Sequence, residues 1–249
     1  MSSIFPQWTN AIPALAAVGL GAVGVGVVGG VYYYFTPEFW EVGYQPEQQV
    51  AYSHQIHVGK LGIDCRYCHS EVENSKHANV PATTTCMNCH GGVEGQWNYL
   101  NADLWEAHLE NPNLELLRQK YAEREPVQWT RIHKLPDYAH FNHAVHVNAG
   151  VSCYSCHGRI DQMEVVYQAE SLSMAWCLSC HRNPEDYLID TTGTVIDYDG
   201  DGEPGPAYEV TNLEAAQRVL ADSRQADWGA ELAADKGLQP PEHCAACHY

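Results

Sequence analysis

The stretch Tyr52-Ser53-His54-Gln55-Ile56-His57-Val58-Gly59-Lys60-Leu61-Gly62-Ile63-Asp64-Cys65-Arg66-Tyr67-Cys68-His69 ends in a Cys-x-x-Cys-His pentapeptide. The same pentapeptide recurs at Cys86-Cys89-His90, Cys153-Cys156-His157, Cys177-Cys180-His181 and Cys244-Cys247-His248, which accounts for all ten cysteines of the 249-residue chain. In this spacing two thiols form thioether bonds to porphyrin vinyl groups, and the adjacent imidazole becomes the proximal iron ligand. Structural zinc also uses paired cysteines but imposes no following His. With 14 His in 249 residues, five such coincidences would arise by chance with a probability on the order of one in a million. Disulfides gain nothing from that His either. Five covalently bound haem c groups are therefore expected.

Working outward, the pair His54 and His57 stands eight residues before Cys65, and a matching pair, His143 and His146 in Phe141-Asn142-His143-Ala144-Val145-His146, stands seven before Cys153. On a short helix, residues i and i+3 share a face yet diverge enough to reach two different irons. These four are the expected distal ligands. A fifth is less defined: His133 is the first candidate and Met174 the second, with Met163 and His140 as further possibilities. A Met ligand would raise the potential of that centre, although a lone Met more often fills a core. His77, His108 and His243 read as surface residues or propionate partners.

The formal net charge is −18, which excludes the basic footprint that nucleic-acid binding requires. Porphyrins supply apolar interior of their own, so the expected fold class is a multihaem cytochrome c, loop-rich with short α-helices around stacked haems, plus one N-terminal transmembrane helix. No charged side chain occurs before Glu38, and Ala11 to Phe35 is apolar or aromatic. At 1.5 Å per residue that run exceeds a hydrocarbon core of about 30 Å. A cleaved signal peptide would carry a basic n-region, and there is no Lys or Arg before Lys60. Thioether attachment is completed outside the cytoplasm, so the expected location is the bacterial inner membrane, single-pass, with the haem domain periplasmic. Tyr32, Tyr33, Tyr34, Phe35, Phe39 and Trp40 would form an interfacial belt, and the glycines at 19, 21, 24, 26, 29 and 30 would let a partner helix approach.

The expected organisation is an anchor over 1–40 and a pentahaem domain over 41–249. The latter divides into a first dihaem unit (41–97), a helical linker (98–140), a second dihaem unit (141–182), an acidic insert (183–236) and a terminal motif (237–249). The linker pattern predicts two short amphipathic helices broken at Asn111-Pro112. The insert holds 13 Asp or Glu against two Arg and one Lys; its first part reads as loop, with a helix near 211–222. Asp197-Tyr198-Asp199-Gly200-Asp201-Gly202 copies the start of an EF-hand loop, but Tyr208 stands where the bidentate Glu is needed, so it reads as a solvated turn.

The stretches 52–69, 141–157 and Ser-Leu-Ser-Met-Ala-Trp-Cys-Leu-Ser-Cys-His-Arg-Asn-Pro-Glu (171–185) resemble the pentahaem cytochrome c subunit of bacterial alternative complex III over most of residues 31 to 189. The acidic insert matches less clearly. The resemblance implies a non-catalytic electron-transfer subunit in a quinol-oxidising membrane complex. Integral-membrane and iron–sulfur subunits would be its partners, and a monohaem cytochrome c or a terminal oxidase its acceptor. Two other classes are a stand-alone membrane-anchored multihaem quinol dehydrogenase and a multihaem reductase. The latter would need an open iron, often marked by Lys in place of a motif His, and all five motifs keep His.

Overall fold

The structure, a computed structural model, describes residues 5–90 and 111–249. The chain divides into two units, Met1–Val42 and Gly43–Tyr249. The first linker helix expected from Leu100, Leu104, Trp105 and Leu109, together with His108, lies outside the described residues.

In the first unit, α1 (Ile12–Tyr34) opens with Pro near its first turn, where a missing N–H costs nothing. It is long and apolar enough to cross a membrane. A 3-10 turn at Pro37–Trp40 folds back so that the Trp40 indole N–H donates to the Tyr34 carbonyl at 3.1 Å. Phe39 packs on Tyr34 with ring centroids 4.7 Å apart. A Cβ added at any of the six glycines between 19 and 30 would meet open space.

The second unit is helical and loop-rich. Among the described residues no strand forms, and a single antiparallel bridge joins Val151 to Leu188. Its elements are α2 (Cys65–Cys68), α3 (Thr83–His90), α4 (Glu115–Ala122), α5 (His143–Ala149), α6 (Tyr154–His157), α7 (Met174–Arg182), α8 (Leu213–Leu220) and α9 (Gln225–Asp235). His54 and His57 sit at the start of a π-helical turn over Gln55–Lys60. Most elements are one or two turns long, too short to persist without tertiary support.

Among the described residues, two small apolar clusters form. Val50, Leu114, Leu117 and Val127 bring α4 against Cys86 and Met87 of α3. The larger cluster, Leu188, Ile189, Ile196, Tyr198, Val210, Ala216, Val219 and Leu232, lies in the acidic insert. Helix α8 falls in the window expected from sequence; α9 was not expected. Its pattern is masked by Gly229, a poor helix residue. That glycine lies against the backbone of Glu185, whose carbonyl would collide with any Cβ.

The insert's loop is organised by a buried carboxylate. Asp190 is fully buried and accepts N–H bonds from Thr192 (2.9 Å), Gly193 (3.1 Å), Val195 (3.0 Å) and Ile196 (3.1 Å), plus the Thr192 hydroxyl (2.7 Å). Burial raises the Asp190 pKa, but these donors outweigh it and hold the group at about 2. A carboxylate depressed from about 3.9 contributes stability above that pH, and the contribution is lost as pH falls toward 2. Between pH 5 and 2 the wild-type holoprotein is thus expected to lose roughly 2–3 kcal/mol more than Asp190→Asn, measured by thermal unfolding. An equal acid dependence would sink this account. The EF-hand-like turn is self-satisfied in the same way: the Asp197 carboxylate accepts from Gly200 (2.6 Å), Asp201 (3.2 Å) and Gly202 (2.8 Å).

The two His-pair elements interlock. The Gln55 N–H donates to the Met163 carbonyl (3.0 Å), which follows the third motif, while the N–H groups of His143 and Ala144 donate to Lys76 (3.3 Å) and Ser75 (3.2 Å), which follow the first. Each His pair is therefore docked on the segment that follows a motif of the other half of the repeat.

Candidate haem-binding site

Each motif is one helical turn. The His N–H closes on the carbonyl of the first Cys in three of them: His69 to Cys65 (2.8 Å), His157 to Cys153 (2.9 Å) and His248 to Cys244 (2.9 Å). Residues i, i+3 and i+4 of such a turn lie on one face, so two thiols and an imidazole point the same way. Local capping sets these turns up. The Asp64 side chain accepts the Arg66 N–H, Ser173 accepts that of Trp176 ahead of the fourth motif, and Asn142 accepts that of Ala144 at the start of α5.

Two of the distal candidates face motif imidazoles directly. His57 faces His90 with ring centroids 6.0 Å apart, and His146 faces His181 at 6.0 Å. Two metal–imidazole bonds of about 2 Å each, plus the distance from each nitrogen to its ring centre, give roughly this span. His133 lies against His157, with centroids 4.3 Å apart and Nε2 3.3 Å from the His157 Nδ1. His69 is close enough to His54 and to His143 to act electrostatically on both. His54, His133 and His143 thus lie beside the first and third motifs.

Backbone carbonyls orient the rings. Nδ1 is held by Ser53 O in His57 (2.8 Å), Asn79 O in His69 (2.6 Å), Lys76 O in His143 (2.9 Å), Asn142 O in His146 (2.8 Å), Pro241 O in His181 (2.7 Å) and Tyr138 O in His248 (2.9 Å). A proton fixed on Nδ1 leaves Nε2 free to bind a metal. Burial lowers His54 and His133 to about 4 and His157 to about 3, so these imidazoles are neutral at pH 7, the ligating state. The buried Nδ1 of His54 has no hydrogen-bond partner.

Residues 52 and 141, quoted in the repeat but given no role there, pack on the distal rings. Tyr52 stacks on His57 (4.4 Å, 22°) and meets His54 edge-on (4.9 Å, 86°). Phe141 repeats this with His146 (4.4 Å, 29°) and His143 (4.8 Å, 87°). The aromatic two positions before each His pair was the available signal.

The candidates for the fifth distal ligand separate. Met174 is 64% exposed, whereas Met163 is 4% exposed and approaches Gly158 beside the third motif. His140 lies at the fifth motif: its N–H donates to the Cys247 carbonyl (2.8 Å) and its ring stacks on Tyr249 (4.3 Å). His77 is exposed, as is His243, which precedes the last turn.

The thiols give the motifs an order. Cys68 is within electrostatic reach of Cys86, Cys65 of Cys153, Cys156 of Cys180 and Cys177, and Cys177 of Cys247. The second, first, third, fourth and fifth motifs therefore follow one another. None of the ten cysteines is in a disulfide. Among the described residues, no three His, Cys, Asp or Glu converge as a bare metal site would require. Zinc needs such convergence. A porphyrin does not, because it brings four nitrogens of its own.

Residues 50–108 match the family described as cytochrome c7 and related cytochrome c. The chain carries a multihaem cytochrome c domain. It is also similar, with 27% identity over 164 residues, to the multihaem cytochrome c subunit of menaquinone reductase from Nitratidesulfovibrio vulgaris; the match covers 58% of this chain and 71% of that one. A multihaem cytochrome c holds haem c covalently through motif thiols and transfers electrons. The residues present fit that group, because thiol pairs, carbonyl-locked imidazoles and facing rings occur together.

Proposed function

We propose that this chain is the five-haem electron relay of a membrane-anchored respiratory complex of the alternative complex III kind, with its second unit on the periplasmic side. The observation that carries this reading is the pair of 6.0 Å imidazole couples, His57 with His90 and His146 with His181. Iron held by two imidazoles exchanges one electron with little rearrangement and offers no site to substrate.

The chain's own residues do the rest. Cys65, Cys68, Cys86, Cys89, Cys153, Cys156, Cys177, Cys180, Cys244 and Cys247 anchor the groups, and His69, His90, His157, His181 and His248 are the proximal ligands. His57 and His146 close the second and fourth sites. His54, His133 and His143 serve the first and third, and His140 or Met174 the fifth. The net charge of −18 steers acceptors that carry basic patches. α1 supplies the anchor and the glycine face for an integral-membrane partner; quinol oxidation and iron–sulfur chemistry belong to other subunits.

The name of the N. vulgaris relative supports a second reading, in which the complex passes electrons toward menaquinone. Both readings use the same relay and differ in direction. Intact mass together with a pyridine haemochrome assay should give five haems per chain; four or fewer would overturn the pentahaem reading. Purified complex should oxidise menaquinol with a cytochrome c as acceptor. Menaquinone reduction alone would favour the second reading, and menaquinol oxidation by this chain without partners would make it a dehydrogenase in its own right.

A further inference from the structure

One turn of the acidic insert reaches two haem motifs at once. It spans Glu209 to Asn212 and is closed by the Asn212 N–H on the Glu209 carbonyl at 2.9 Å. Toward the first motif, the Thr211 hydroxyl donates to Asp64 at 2.8 Å and the Glu209 carboxylate pairs with Arg66 at 3.0 Å. Asp64 and Arg66 flank Cys65. Toward the third motif, the Val210 carbonyl accepts the Cys153 N–H at 3.2 Å and the buried Ser152 hydroxyl at 2.8 Å. These are the two motifs whose first thiols, Cys65 and Cys153, lie within electrostatic reach of each other.

The turn is not loose chain. Val210 is buried in the insert's apolar cluster, and Asn212 caps α8 by accepting the Ala215 N–H at 3.0 Å. Gln217 of α8 accepts from Arg159, two residues beyond the third motif, at 2.8 Å. A rigid helix that presents one turn to two partners fixes their separation. The exposed Glu209–Arg66 pair adds little stability; its geometry is what counts.

We infer that the turn Glu209–Asn212 is a clamp that sets the spacing of the first and third haem sites, and with it the electron step between the two dihaem units. This rests on the relay reading. In that step one electron crosses from one site to the other, with no bond made or broken and no proton moved. Tunnelling falls steeply with distance, so a small drift at this junction slows the whole series. Glu209 and Thr211 are positioning residues that act through Asp64 and Arg66.

The test uses the haem-loaded full chain and the variants Glu209→Gln/Thr211→Val and Thr211→Ser. Dipolar broadening in the ferric electron paramagnetic resonance spectrum reports the spacing, and optical equilibration after substoichiometric photoreduction reports the step. The double variant should keep its haem content and low-spin optical spectrum, yet lose part of the broadening and equilibrate more slowly between units. Thr211→Ser, which keeps the hydroxyl, should match wild type. Wild-type broadening in the double variant, or equal loss in Thr211→Ser, would overturn the clamp. Absence of any equilibration in the unvaried chain would instead defeat the relay reading, while the broadening would still judge the clamp.

Discussion

His146→Ala is expected to leave the haem of the fourth motif attached and to open its distal side. Attachment depends on Cys177 and Cys180, which the substitution does not touch, while the 6.0 Å imidazole couple with His181 loses one ring. A high-spin ferric signal should appear in electron paramagnetic resonance where wild type is low-spin. Turnover of the assembled complex should fall by about 10- to 100-fold, because even outer-shell changes at metal sites cost that much. His57→Ala should do the same at the second motif. Phe141→Leu, which keeps the ligand and removes only the ring stacked on it, should shift the low-spin signal without creating a high-spin one. Unchanged spin state in His146→Ala would refute the ligand assignment.

The second large effect is on stability. Gly229 lies mid-helix in α9, where its missing side chain lets the helix press on the backbone of Glu185. Two further contacts seal this junction: the Gln225 amide donates to the Glu185 carbonyl at 3.0 Å and to the Leu188 carbonyl at 2.7 Å. In an isolated helix Gly→Ala would be favourable by about 1 kcal/mol. Here the added methyl must displace backbone, so Gly229→Ala is expected to destabilise the insert by about 3 kcal/mol or more. Thermal unfolding of the holoprotein should show a drop of roughly 6–12 °C. An increase would mean that α9 does not pack as described. Haem content should be unaffected, since no motif thiol lies in this contact.

Much of the site was legible in the chain because haem attachment is a local rule. Two thiols three apart and a His beside them must lie on one turn, and no tertiary partner is needed to recognise that. The His pairs were legible for a similar reason, since their spacing repeats. The capped turns at Asp64 and Asn142 follow from their residue types. Partner choice was not legible. His133 meets His157 from 24 residues away, and sequence offers no periodicity for such a contact. From sequence Met174 stood second, ahead of Met163, but the structure exposes Met174 and buries Met163. The insert misled in another way: its acidic surface residues read as solvated loop, whereas one buried carboxylate, Asp190, and a small apolar cluster organise it.

By itself the sequence determined the number of attachment motifs, the imidazole beside each and the presence of one apolar span, because each depends on contiguous residues. The tertiary structure alone decided the order of motifs, the docking of each His pair beside a motif distant in sequence, and the seat of the insert across the first and third motifs. Those features join residues as far apart as Asp64 and Thr211. Distant groups meet only when packing and hydrogen bonds outweigh the entropy of closing the long loops between them, a balance that no short stretch of sequence records.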